Sequence, residues 1–146
     1  MIKKFLFARN DLMIHGFDLM LRLYLLKVFF QSGMTKIQSW QSTLDLFAYE
    51  YSVPLLSPEI AAIMGTAGEL LFPVLLLLGL MTRPAAIGLF VLNAVAAYAY
   101  ALTDFYNIIG MLDHILWGGM ILVYIVYGPS PYSLDNLIAK KFTAKL

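Results

Sequence analysis

Residues 60–102 read IAAIMGTAGELLFPVLLLLGLMTRPAAIGLFVLNAVAAYAYAL, and only Glu69 and Arg83 carry charge there. A helix of about 20 residues, rising 1.5 Å per residue, crosses the roughly 30 Å hydrocarbon core of a bilayer. The stretch holds two such helices, Ile60–Leu80 and Ala85–Leu102. Between them, Gly79-Leu80-Met81-Thr82-Arg83-Pro84 ends the first and starts the second. Pro84 suits a first helical turn, where a missing N–H costs nothing. So short a link makes the two helices antiparallel neighbours.

Two more apolar runs of span length flank this pair, Phe17–Met34 and Ile108–Tyr127. The whole chain of 146 residues is 61% hydrophobic and 13% charged. Soluble domains have about 45–50% apolar and about 25% charged residues. A greasy soluble bundle would have almost no chain left to cover four helices of this length. The expectation is therefore an all-α integral membrane four-helix bundle, a single domain over residues 1–146. Lys3, Lys4 and Arg9 precede the first run, but no small-residue cleavage site closes it, so the first span reads as a retained anchor.

Loop charges give an orientation. Lys3, Lys4, Arg9, Arg83, Lys140, Lys141 and Lys145 fall on one side, against Lys36 alone on the other, which also holds Asp45, Glu50, Glu59 and Asp104. The positive-inside rule then places both termini in the cytoplasm, as an even number of spans requires. The long connection Gln38–Pro58 falls on the outer side, with Trp40, Phe47, Tyr49 and Tyr51 interleaved among Gln41, Asp45 and Glu50. Aromatic rings with a polar edge settle at the headgroup level, so a short interfacial helix is expected in this outer loop, with a solvated loop as the alternative.

Several chemistries are excluded. The chain has no cysteine, which removes disulfides, thiolate nucleophiles and cysteine-ligated metal clusters. A net charge of +1 offers no surface for nucleic acid. There is no GxGxxG after a strand, P-loop, HExxH or GxSxG. His15 and His114 have no second ligand set in the sequence, so no metal site is expected.

The remaining signal is charge inside the spans: Arg22, Lys27 and Glu69. An ionised Arg, Lys or Asp at a helix centre costs about 2.5–3.5 kcal/mol, so such groups face partners or reach an interface. Arg22, Phe29, Gly33 and Lys36 share one helix face, whereas Lys27 points about 140° away. The expected cluster has Glu69 as acid, Arg22 as its main base and Asn93 as hydrogen-bonding neighbour, with Lys36 and His114 at its edges. Lys27 snorkels or lines the far side. The alternative is a structural ion pair that pins helix packing. Asp113 beside His114 suggests a proton relay, against an ordinary hydrogen-bonded histidine. Gly65-Thr66-Ala67-Gly68 and Gly118-Gly119 provide smooth patches for close helix approach, and Tyr98 and Tyr100 suit an interfacial belt.

Arg22 followed by Gly33 and Lys36 resembles the first-helix signature of the DoxX family of small four-span membrane proteins. Glu69-Leu70-Leu71 leading to Leu78-Gly79-Leu80-Met81-Thr82-Arg83 is similar to the second-helix signature. Gly128-Pro129 with Ser133-Leu134-Asp135 resembles the family's ending. Phe72 and Pro73 depart from the pattern, where small residues are usual, as does Lys27, where an aliphatic residue is usual. Pro73 removes the helical bond to the Glu69 carbonyl and is expected to bend that span beside the acid.

The resemblance implies a four-helix bundle in the bacterial inner membrane. Some relatives are subunits of quinone-linked thiosulfate oxidation, and others belong to complexes that counter oxidative stress. Two readings follow. In the first, the chain is a redox-associated subunit that binds quinone or docks a soluble or membrane oxidoreductase. In the second, it is a non-enzymatic transporter or assembly factor whose charges are structural. Lipid is the partner in either case, and a second copy of the chain is a further candidate.

Overall fold

The computed structural model describes residues 2–143, with side chains described from Leu12 onward except Phe142. Among the described residues six helices follow one another: α1 (Ile2–Gln38), α2 (Trp40–Tyr49), α3 (Pro58–Leu78), α4 (Thr82–Ala101), α5 (Ile108–Tyr127) and α6 (Leu134–Thr143). No strand occurs among the described residues. The architecture is all-α, as expected. α3, α4 and α5 are each long and apolar enough to cross a membrane. α1 is longer than any of them at 37 residues and packs along α3. The side chains of Lys3, Lys4 and Arg9, and all of Lys145, on which the orientation reading partly rests, lie outside the described residues.

Local chemistry sets the helix ends. Ser57 caps α3 by accepting from the Ile60 N–H at 3.4 Å, and Pro58 fills the first helical position. Gly79 closes the same helix in the left-handed region, φ 63°. The Leu80 N–H then donates to the Leu75 carbonyl and the Gly79 N–H to the Leu76 carbonyl, the paired bonds of a Schellman ending. α5 begins where Asn107 accepts from the Gly110 N–H at 2.9 Å. α3 continues through Pro73 as a single helix.

The core lies between α1, α3, α4 and α5, where Leu25, Leu76, Leu89 and Ile121 are fully buried. A second small cluster joins α2 to α3 through Phe47, Ala61 and Ala62. The expected helix in the 38–58 connection is therefore present as α2. The opposite end of the bundle is closed by the segment after α5. There the Asp135 N–H donates to the Gly79 carbonyl at 2.9 Å, and the His15 and Tyr132 rings stack edge to face at 4.6 Å. The early part of α1 and the tail after α5 thus share one end of the molecule, the α6 end, with α2 at the other.

Candidate functional site

At the α2 end, close helix approach creates the site. A Cβ at Gly33 would lie 2.9 Å from the Leu70 side chain and 3.2 Å from the Glu69 Cβ, so α1 and α3 meet there. Three residues further, the Lys36 ammonium donates to both carboxylate oxygens of Glu69, at 2.8 and 2.7 Å, and to the Ser32 hydroxyl at 2.8 Å. Only 15% and 10% of the two charged side chains is exposed, which makes this a shielded ion pair rather than a surface one.

α4 reaches the same level. A Cβ at Gly68 would collide with Leu92, which sets Asn93 one residue along from that contact. The buried Asn93 makes a reciprocal pair with α5. Its amide nitrogen donates to the His114 carbonyl at 2.9 Å, and its amide oxygen lies 3.0 Å from His114 Nδ1. A backbone carbonyl only accepts, so that bond fixes which way the amide faces. The amide oxygen then requires the proton on Nδ1, leaving Nε2 as the basic nitrogen. Gly118, one turn along α5, would bring a Cβ to 3.4 Å from the Asn93 amide nitrogen.

Aromatic rings cover this level. The His114 ring lies 5.1 Å from Trp117 and 5.8 Å from Tyr100, and the rings continue through Phe105 to Tyr51 and Phe47. Burial pushes the Tyr51 hydroxyl above its ordinary pKa, and the negative charge of Glu69 pushes it further. Tyr51 also lines a cavity of ≈ 280 Å³ beneath the connection from α2 to α3, with Phe47, Glu50, Ser52 and Pro58 among its walls. A second, apolar groove of ≈ 320 Å³ runs over Phe90, Val91, Ala94, Val95 and Tyr98 of α4. Neither cavity is lined by Glu69 or His114 themselves.

At the α6 end, the charges are tied differently. The Arg22 Nε donates to both oxygens of Asp18 at 3.1 Å, and its Nη1 donates to the Leu76 carbonyl at 2.6 Å. Its guanidinium lies 4.9 Å from the centre of the Tyr124 ring, and the Tyr124 hydroxyl donates to the Asp18 carbonyl at 3.1 Å. Next to it, the Asp135 carboxylate accepts from the Met81 N–H, the Thr82 N–H and the Thr82 hydroxyl, all at 2.8 Å. An anion at the exposed N–H groups of a helix start is favourable. Burial alone would raise the Asp135 pKa, but those hydrogen bonds outweigh it and hold the carboxyl below its usual range.

The expected pairing therefore needs correction. Glu69 pairs with Lys36, not with Arg22, and Asn93 pairs with His114, not with Glu69. The reason is depth. The carbonyl that Arg22 reaches, Leu76, is seven residues past Glu69 on α3, about 10 Å along the axis. Arg22 also has an acid of its own one helical turn back. The spacing from Asp18 to Arg22 was visible in the sequence, as an i, i+4 pair inside the first run. The relay from Asp113 to His114 is likewise replaced by the contact with Asn93. Lys27 is exposed and has no hydrogen-bond or ion-pair partner among the described residues. Tyr98 is exposed as an interfacial residue would be, but Tyr100 is half buried and accepts from Asn107. Gly118 permits a close approach, whereas Gly119 faces open space. Phe72, one of the departures, has its counterpart in Gly88, where a Cβ would stand 2.5 Å from the Phe72 ring.

Apolar helices of span length, with their charges paired inside, define a multi-pass membrane protein. The DoxX family profile matches residues 17–102, which is more than half of the chain. The chain belongs to the DoxX family. It is also 33% identical over 132 residues to an uncharacterized protein of Haemophilus influenzae, covering 87% of this chain and 86% of that one. No solved structure matches.

Proposed function

We propose that this DoxX-family chain is a four-span subunit or docking partner of a quinone-linked or oxidative-stress redox complex in the bacterial inner membrane. In this reading α1 is the fourth span, both termini are cytoplasmic, and α2 lies along the outer surface. The single observation that carries it is the common level of two polar pairs, Lys36–Glu69 and Asn93–His114, contributed by four helices inside an apolar bundle. Intramembrane ionisable groups mark ligand or proton paths more often than packing requires.

The residues fit a quinone headgroup. Lys36 would donate to a quinone carbonyl oxygen by giving up its bond to Ser32, and Glu69 and the His114 Nε2, the ring nitrogen not engaged by Asn93, would be proton acceptors at a phenolic oxygen. The apolar groove over Phe90, Val91, Ala94, Val95 and Tyr98 of α4 suits an isoprenoid tail. A bound quinone supplies two-electron redox chemistry. This cysteine-free chain holds the headgroup and handles protons, and a partner oxidoreductase exchanges the electrons.

Titration of a short-chain quinone into the purified protein tests the site. Binding is expected to weaken by about tenfold or more, some 1.4 kcal/mol, in Glu69→Gln and Lys36→Met. Equal affinity in both variants would remove the site. Solute flux in proteoliposomes without any quinone binding would favour a transporter instead.

A further inference from the structure

Thr66 is 5% exposed, and its hydroxyl has no hydrogen-bond partner among the described residues. A buried hydroxyl left without a partner costs about 1–3 kcal/mol, so such a group calls for an explanation. Its position supplies one. Ala62, Thr66 and Glu69 are all buried, and at offsets of four and seven residues they form one stripe down α3. The stripe begins under Phe47 and Tyr51, which pack on Ala61 and Ala62, and it ends at the ion pair with Lys36. Phe47 also contacts the position of Gly65, where a Cβ would stand 3.5 Å from its ring. The ≈ 280 Å³ cavity walled by Glu50, Ser52, Phe47 and Tyr51 shares those last two residues with the cluster that covers the start of the stripe at Ala61 and Ala62. The distance from Ala62 to Glu69 along the helix is about 10 Å, a gap that two or three waters would bridge.

We propose that this cavity is a vestibule through which water, and with it protons, reaches the Lys36–Glu69 pair, with Tyr51 as the gate and the Thr66 hydroxyl holding a water behind it. Tyr51 is suited to the role because its ring belongs to the vestibule wall while its hydroxyl feels the Glu69 charge. Thr66 supplies the one polar side chain of the stripe between the gate and the acid. The route opens toward the α2 end, while the α6 end is closed by the Gly79, Asp135 and Thr82 contacts. This inference deepens the reading of the same ion pair by naming how protons arrive there. Its test uses no quinone, so the two can fail separately.

The absence of cysteine makes the test clean. Single substitutions Thr66→Cys, Ser52→Cys and Leu89→Cys are made in the full chain in sealed vesicles, the last as a dry core control. A small, charged, water-soluble methanethiosulfonate is applied to either side. Ser52→Cys is expected to react fast and Leu89→Cys not at all. Thr66→Cys is expected to react from the α2 side only. Adding Tyr51→Ala should speed it by about tenfold or more, because the rate follows the population of the open form. Reaction of Thr66→Cys from the α6 side, or inertness equal to Leu89→Cys in both backgrounds, overturns the route. A rate that Tyr51→Ala leaves unchanged overturns the gate.

Discussion

Arg22 and Glu69 are almost equally buried, at 3% and 8% exposure, but they are held in different ways. Arg22 is tied to an acid on its own helix, to a backbone carbonyl of α3 and to an aromatic face of α5. Beside it, Asp135 is tied to backbone N–H groups at the start of α4. At the α6 end, therefore, each charge has a backbone partner, the Leu76 carbonyl for Arg22 and the Met81 and Thr82 N–H groups for Asp135, and the backbone cannot leave. At the α2 end, the charged pair is bonded to side chains alone, Lys36 to Glu69 and Ser32, and Asn93 holds His114 by its ring as well as its carbonyl. Side chains can exchange partners with a ligand or a proton. The comparison separates a clamp that holds the fold from a site that can do chemistry.

The largest expected effect is at the α2 end. Glu69→Ala or Lys36→Ala leaves a buried charge without its partner, which costs about 3–5 kcal/mol. A thermal or denaturant unfolding series in detergent should show that loss for either substitution. A loss below about 1 kcal/mol for both would mean the pair is effectively solvated.

Gly79→Ala comes next and tests the clamp. Position 79 has φ 63°, and a Cβ there would collide with Ser133. The left-handed conformation alone costs an L-residue about 1–2 kcal/mol, and displacing the 133–135 segment adds to it. Destabilisation should come with faster hydrogen exchange at Met81 and Thr82. Unchanged exchange there would detach α6 from the turn.

Asp135→Asn has a smaller effect, about 1 kcal/mol, typical of a lost helix cap. Its pH dependence has a definite sign. A carboxyl whose folded pKa is depressed stabilises fully above its ordinary value of 3.8, and that contribution is lost as pH falls through the lower folded value. The parent protein should therefore weaken more than Asp135→Asn on acidification below about pH 4. Parallel acid profiles would contradict this. The smallest effect is at Lys27, exposed and unpaired among the described residues, where Lys27→Met should change stability by no more than about 0.5 kcal/mol.

Much of this was legible in the sequence. The run Ile108–Tyr127 coincides with α5, and Ile60–Leu80 and Ala85–Leu102 lie within two or three residues of α3 and α4, because span length and the Gly79-to-Pro84 turn leave few other boundaries. α1 overran the Phe17–Met34 estimate in both directions, since its polar flanks remain helical where hydropathy falls. The face shared by Arg22, Phe29, Gly33 and Lys36 followed from helical geometry alone. The partners did not. Periodicity gives the face of a residue, but depth depends on how far one helix slides along another, which is set by contacts such as Gly33 against Leu70. Arg22 and Lys36 stand about 21 Å apart along α1, and the observed register gives Glu69 to Lys36. Asp135 was beyond reach for a different reason. It caps a helix 53 residues away through its side chain, and no local pattern encodes that.

The most direct measurement is a pair of double-mutant cycles on unfolding free energy, one for Lys36 with Glu69 and one for Arg22 with Glu69. Residues in contact couple by about 0.5–3 kcal/mol, whereas distant ones add within about 0.3–0.5 kcal/mol. Strong coupling is expected for Lys36 with Glu69 and none for Arg22 with Glu69. Strong coupling between Arg22 and Glu69, with additivity for Lys36, would contradict it.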